Sequence, residues 1–308
     1  MQKLNKQQFY IFLPIAVLCS VFLFVGGPGY DSLRSFRYLW GAGHLFCFAL
    51  WVYLYVAVRE RVARPRIMSE ALLLVLLVGG LTELIQASIG REATWQDLGN
   101  DLVGGLVGFF FFSAAKKNWS RLSLKLIQLP ILVLVFWSVF PSVKVIVDDL
   151  VSWSQFPLLS GFETPLEATR WSGSAKRNLS HQVYFTGRAS LRVGLNTQRY
   201  SGIGLKDFPR DWEGYSAVSL QVFNPDSEAF QLHLRIHDHA HNNVYSDRYN
   251  TSFDIRPGWN QLQVSLADVF EAPKDRQFDL TRVAGLGVFV GKLKRPRIIY
   301  LDDVRLIP

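Results

Sequence analysis

The sequence predicts an α-helical membrane bundle of five spans over residues 1–150, a linker at 151–160 and an all-β antiparallel sandwich over 161–308. Two observations predict it. The first half holds apolar runs of membrane length separated by short polar loops. The second half holds short stretches of alternating polarity separated by turn residues, with no helical run of useful length. The length of 308 residues is enough for two domains.

A spanning helix needs about 20 mostly apolar residues. Five candidates follow in order: 9–27, 39–58, 71–89, 95–115 and 124–147. The first, FYIFLPIAVLCSVFLFVGG, follows a short basic N-terminus as a signal peptide would. It is longer than a typical signal core and further apolar segments follow, so it reads as a retained helix. The fourth has a short apolar core, LVGGLVGFFFFSAA, and reaches membrane length only by including the polar residues before it. The fifth contains Pro130 and Pro141, which membrane bundles tolerate.

The basic residues orient these spans. Residues 1–150 carry 14 Lys and Arg against 9 Asp and Glu, mostly in short loops. Lys3 and Lys6 precede span one, RERVARPRIMSE follows span two, and KKNWSRLSLK follows span four. The positive-inside rule places these segments in the cytoplasm. The expected topology in the cytoplasmic membrane is therefore N-terminus in, with the sandwich outside. No Lys/Arg run interleaved with aromatics is present, which argues against a nucleic-acid partner. Cys19 and Cys47 both lie in apolar runs. The sandwich thus has no disulfide framework and must be stable through its own core.

One stretch breaks the apolar pattern: TELIQASIGREATWQDLGNDLVGG, residues 82–105. Glu83 and Gln86 share one helix face. Asp97, Asn100, Asp101, Gly104 and Gly108 share another, and Gly104 and Gly108 form a small-xxx-small pair that lets a second helix approach closely. Under the expected topology these residues, Arg91 and His44 gather near the outer membrane face. Ionisable groups in membrane segments are costly, so pairing or function is the default reading. Structural readings stand beside it. Asp97 follows Thr94 by three, as in a capping box; Glu83 and Arg91 could tether the loop; His44 could simply bond a neighbouring helix.

These residues resemble the signature of VanZ-like membrane proteins over roughly residues 35–115. The pattern is Glu-x-x-Gln, a short loop with Arg, Asp-x-x-Asn-x-x-Gly at the next helix, and an upstream His, here in GAGHLFCF. The resemblance carries His44, Glu83, Gln86, Arg91, Asp97, Asn100 and Gly104 as family-type positions. It implies a small multi-spanning protein of the cell envelope, linked in its namesake to low-level glycopeptide antibiotic resistance. It names no reaction. The fifth span and the long tail go beyond the minimal family unit.

In the tail, the strand-like stretches are ASLRVGL, AVSLQVFN, FQLHLRIH, NTSFDIR, NQLQVSL, GLGVFVG and IIYLDDVRLI. Turn-like pieces such as NPDSEA, RPGWN and KRPR separate them, which argues for an antiparallel sandwich. The order of GFE, GRASLRV, FPRDWEGYSAVSLQVFN, RPGWNQLQVSL and IYLDDVRLI over about 160–308 resembles galactose-binding-like jelly-roll modules of the carbohydrate-binding type. That resemblance implies a structural calcium held by Glu163 with Asp302 or Asp303, carboxylates being suited to Ca²⁺. The alternative is that LDDV is a strand end and Glu163 a solvated residue; no other cofactor is expected.

In FQLHLRIHDHAHNN, Phe230, Leu232, Leu234 and Ile236 alternate with Gln231, His233, Arg235 and His237. The second face could bind sugar hydroxyls through His233, Arg235 and His237, aided by Trp171, Tyr200 or Tyr245. The alternating His237, His239 and His241 also raise a metal site, against solvated loop histidines.

Three functions follow from these residues. The favoured one is a membrane-tethered module recognising an envelope polysaccharide or a lipid-linked glycan, with membrane lipids around its helices. The second is a membrane enzyme acting on a lipid-linked glycan or phosphate through His44, Glu83, Arg91 and Asp97. The third is an assembly subunit of an envelope complex. No nucleophile–base pair and no tight metal motif is visible in either half, which favours binding over catalysis.

Overall fold

The computed structural model describes residues 6–25, 32–59, 64–88, 95–113 and 119–308. The chain divides into two compact units, Met1–Val145 and Ile146–Pro308.

The first unit is helical: α1 (Lys6–Phe22), α2 (Arg34–Val58), α3 (Arg64–Ser88), α4 (Trp95–Val107) and α5 (Arg121–Gln155). An apolar run leaves its backbone groups little choice but to pair with one another, and the α-helix pairs them within one segment. Among the described residues, three helices are long and apolar enough to cross a membrane: 34–58, 66–88 and 121–155. Each of the five expected segments contains a helix, but two of these helices are shorter than a membrane span needs. The apolar part of α1 covers Phe9–Phe22, and α4 has only 13 residues before it passes into a π-helical turn, Gly108–Phe112. Its Gly-rich segment and Phe run trade α-helical regularity for close packing. Phe48, Val52 and Val56 of α2 and Ile67, Ala71 and Val75 of α3 form the centre of this unit with Phe109 and Phe110. Leu129, Leu132, Val133 and Phe136 of α5 and Leu73 and Leu77 of α3 are exposed. Arg59 Nη2 and Tyr55 Oη donate to Glu70 Oε2 at 2.9 and 2.8 Å, closing the α2–α3 hairpin.

The second unit is a sandwich of two antiparallel sheets. The first contains β1 (Leu158–Ser160), β3 (Lys176–Ser180), β4 (Ser190–Leu195), β6 (Ala217–Asn224), β9 (Gly258–Ser265) and β11 (Arg297–Ile307), in the order β3-β4-β11-β6-β9 with β1 also paired to β11. The second contains β2 (Trp171–Gly173), β5 (Tyr200–Leu205), β7 (Phe230–Asp238), β8 (Tyr249–Ile255) and β10 (Val283–Gly291), in the order β2-β5-β10-β7-β8. A five-residue helix, α6 (Leu266–Phe270), follows β9. Alternation puts Leu232, Leu234 and Ile236 of β7 in one core with Leu191 and Val193 of β4, Val218, Leu220 and Val222 of β6, and Leu286, Val288 and Val290 of β10.

The expected linker at 151–160 has no linker character. It completes α5, which ends at Gln155, and then forms β1. The reason is a buried ion pair. Arg170 donates Nε to Asp148 Oδ2 at 3.0 Å and Nη2 to Oδ1 at 2.7 Å, and its Nη1 reaches Leu159 O at 3.2 Å. The last turns of α5 and β1 are thereby part of the sandwich unit.

Candidate functional site

The outer face of the second sheet carries a groove of about 730 Å³. Its floor is a consequence of glycine. Register places Gly204 opposite Gly287, and Gly287 opposite Arg235; Gly285 lies opposite His237, and Phe289 between Gly202 and His233. At Gly202, Gly285 and Gly287 a neighbouring strand's side chain lies across the backbone. A Cβ at Gly285 would meet the His237 ring at 2.6 Å, and one at Gly287 would meet Arg235 Nε at 3.1 Å. A Cβ at Gly202 would strike the Val288 carbonyl and Phe289. Gly204 is different: its nearest neighbour would be at 3.5 Å, so its openness shapes the groove and not the packing.

The walls are aromatic and cationic. Tyr200 stands edge-to-face with Phe289 at 6.1 Å, His233 tilts over Phe289 at 5.3 Å, and Tyr245 lies under the Arg248 guanidinium at 5.6 Å. Lys206, Arg235, Arg248 and Asn250 also line the groove, and none of its described lining residues is acidic. Burial lowers Arg248 from its ordinary range, with a smaller contribution from Arg235. Burial, then Arg235, His241 and Arg248, pushes the His237 imidazole down to about 4. The loop bearing Tyr245 and Arg248 is clamped by Arg276, whose Nη2 donates to Asp238 Oδ1 and whose Nε donates to Asp247 Oδ1, both at 2.7 Å. The Arg276 hydrogen bond to Asp247, opposed by partial burial and helped by the Asn242 backbone N–H, holds the Asp247 carboxyl below its usual range.

The residues expected on this face divide. Tyr200, His233, Arg235 and Tyr245 line the groove, and His237 lies beside it on Gly285. Trp171 does not reach it: the ring is fully buried in the core and its Nε1 donates to Ser160 Oγ at 3.0 Å. The β2 strand turns this large apolar side chain inward, where its burial is worth most. Sequence reasoning missed Phe289, Arg248, Lys206 and the glycine floor. The repeated Gly-x-Gly in both YSGIGL and VAGLGV was the available signal.

Of the carboxylates expected to hold calcium, Glu163 and Asp302 both accept hydrogen bonds from the 185–189 segment. Glu163 Oε1 accepts from Arg188 N at 2.8 Å and Ala189 N at 3.3 Å. Asp302 Oδ2 accepts from Phe185 N at 2.6 Å and Thr186 N at 3.1 Å, while Oδ1 accepts from Asp303 N. Asp303 pairs with Arg305, and it sits with φ of 48° where the β11–β6 register shifts between Asp302 and Arg305. An Asp at positive φ in a bulge is sterically tolerated, and Asp302 and Glu163 together hold the backbone of the 185–189 segment. Among the described residues the histidine run forms no group of three metal-type ligands; His241 Nδ1 is 2.9 Å from the Asp247 carbonyl, and its ring lies 5.4 Å from that of His237.

A second concentration of chemistry lies among the helices. His44 Nδ1 is 2.9 Å from Asp101 Oδ1, both buried. One ligand atom from each of His44, Glu83 and Asp97 lies within 4.8 Å of the others, so these three do gather, although no motif announced a metal-type arrangement. The neighbouring residues of the motif are structural. Gln86 Nε2 donates to Leu23 O at 2.8 Å; Asn100 Nδ2 donates to Gly41 O at 3.3 Å, and its Oδ1 accepts from Ser138 Oγ. Asp97 lies in the first turn of α4. Arg91 and Thr94 lie outside the described residues. The glycine pair faces α2: Cβ atoms at Gly104 and Gly108 would strike the Leu45 and Ala49 carbonyls. Gly79 and Gly105 serve the α3–α4 contact.

No protein-family model and no curated protein matches the chain. Among solved structures, it is similar to a family 11 carbohydrate-binding module from Clostridium thermocellum in complex with a β-1,3-1,4-mixed-linked tetrasaccharide. That similarity has 15% identity over 49% of this chain and 94% of that one, with a TM-score of 0.38. It is also similar to an exo-β-agarase, with 16% identity over 49% of this chain and 24% of that one, TM-score 0.40. A third similarity is to TmCBM61 in complex with β-1,4-galactotriose, with 15% identity over 48% and 93%, TM-score 0.34. Likeness at this level carries no functional argument, and the sandwich rests on its own strand pairing.

Proposed function

We propose that this chain is a membrane-tethered binding protein whose groove takes an acidic glycan of the cell envelope. The supporting observation is the groove itself: about 730 Å³ over a floor left uncovered at Gly204, with Tyr200, Phe289 and Tyr245 for the apolar faces of sugar rings, and Arg235, Arg248 and Lys206 for carboxylate or phosphate groups. In this reading the five helices sit in the cytoplasmic membrane as a VanZ-like bundle, N-terminus inside, and present the sandwich outside. The exposed Leu, Val and Phe side chains of α3 and α5 support a lipid environment, because an apolar surface of that extent is unfavourable in water.

The test is binding of the full-length protein, in detergent or nanodiscs, to arrays of acidic and neutral polysaccharides. Selective, salt-sensitive binding to an acidic polymer is expected. Tyr200→Ala and Arg235→Gln should each weaken it roughly tenfold, the usual scale for a central aromatic or Arg contact. Gly204→Val should narrow the groove and weaken binding while the sandwich still folds. Binding to no polysaccharide, or binding that ignores all three substitutions, would overturn the reading.

A further inference from the structure

We infer that His44, Glu83 and Asp97 form a binding site for a divalent transition-metal ion. The inference is independent of the glycan reading. The donor set is one imidazole and two carboxylates, from α2, α3 and α4, with one ligand atom of each within 4.8 Å of the others. Bound to one ion at about 2.0–2.1 Å, such atoms stand about 3.4 Å apart, a closure that torsions of Glu83 and Asp97 can make. Three protein ligands with a further position open is the arrangement of a zinc-type site that also takes water or a ligand. Asp97 is the partly exposed member of the three.

The surroundings point the same way. Asp101 holds His44 Nδ1 at 2.9 Å, which leaves Nε2 as the nitrogen open to a ligand. A carboxylate behind a metal-bound imidazole fixes the tautomer and raises the basicity of the ligating nitrogen. The second oxygen of Asp101 is a separate observation. Oδ2 is fully buried, meets no hydrogen-bond donor, and is directed at α3 beside Gly79, one turn before Glu83. His44 bonds only Oδ1, so a carboxylate buried here gains from further positive charge nearby. A divalent ion at His44, Glu83 and Asp97 supplies it, and the mixed nitrogen–oxygen set suits Zn²⁺ or Mn²⁺ better than a purely oxygen-seeking cation. The competing source of charge is a protonated His44 itself.

The test uses the full-length protein in detergent, stripped with a chelator and titrated with Zn²⁺ and Co²⁺. One equivalent should bind, with Co²⁺ giving a visible d–d band. His44→Asn should abolish binding, and Glu83→Gln and Asp97→Asn should each weaken it at least tenfold. Asp101→Asn should weaken it 10- to 100-fold, as loss of an outer carboxylate does. X-ray absorption of the wild-type complex should report one imidazole, which keeps the inference testable if a variant does not fold. No saturable binding to the wild type, unchanged affinity in the three ligand variants, or a bound ion without imidazole would overturn it and leave an internal ion-pair cluster.

Discussion

His237 lies flat across β10 because position 285 has no side chain. That placement leaves the imidazole half-buried beside two arginines, which is why its proton is held so weakly. The sign of the effect follows from the two states. An unfolded histidine titrates near 6.5, whereas the folded one titrates at about 4. Between these values the unfolded chain takes up a proton that the folded chain refuses. The neutral imidazole therefore supports the fold above pH 6.5, and its contribution is lost as pH falls through the window toward 4. Urea midpoints of the wild type should drop between pH 7 and pH 4.5 by more than those of His237→Gln, with tryptophan fluorescence as the readout. Equal drops would show that other groups carry the acid sensitivity. At the same scale, Trp171 is a warning about aromatic residues: the ring type favours a sugar face and a core alike, and only strand direction chooses between them.

At the scale of elements, the clearest case is α4. Its amphipathic spacing was legible, including the shared face of Asp97, Asn100, Asp101, Gly104 and Gly108. The partner was not, because small-xxx-small spacing says that a helix approaches without saying which one. The structure seats Gly104 and Gly108 on the α2 backbone at Leu45 and Ala49. Gly104→Ala and Gly108→Ala should therefore push the helices apart and lower the melting temperature of the detergent-solubilised protein. Gly99→Ala is the counter-example, since its Cβ would meet nothing within 4 Å; there, higher helix propensity should leave stability unchanged or raise it by up to about 1 kcal/mol. If all three variants behaved alike, close approach at Gly104 and Gly108 would not be the reason for those glycines. Among the strands, alternation located β4 and β6 to β11 within two residues or fewer at each end. It missed β5 because two glycines remove the side chains that would have alternated, and β1 to β3 because they are short or polar.

At the scale of the folded units, the Asp148–Arg170 pair decides where the sandwich unit begins. Both side chains are buried, and Arg170 also bonds the Leu159 carbonyl. Removing one partner leaves the other charge buried and uncompensated. Arg170→Ala should cost about 3–5 kcal/mol in the unfolding of the sandwich, measured by denaturant titration of the full-length protein. A cost below about 1 kcal/mol would mean that water replaces the guanidinium and that the pair is not structural.

The sequence by itself determined the helical half, the antiparallel sandwich, most strand positions and the two polar neighbourhoods worth examining. Those properties follow from hydropathy and its period, which are local along the chain. Tertiary structure alone decided the rest: which aromatic faces inward, which helix the glycines meet, that Glu163 and Asp302 close on one loop, and that His44, Glu83 and Asp97 converge. Convergence depends on helices brought together from positions up to 53 residues apart in sequence, and no local pattern encodes the distance between side chains that meet only after folding.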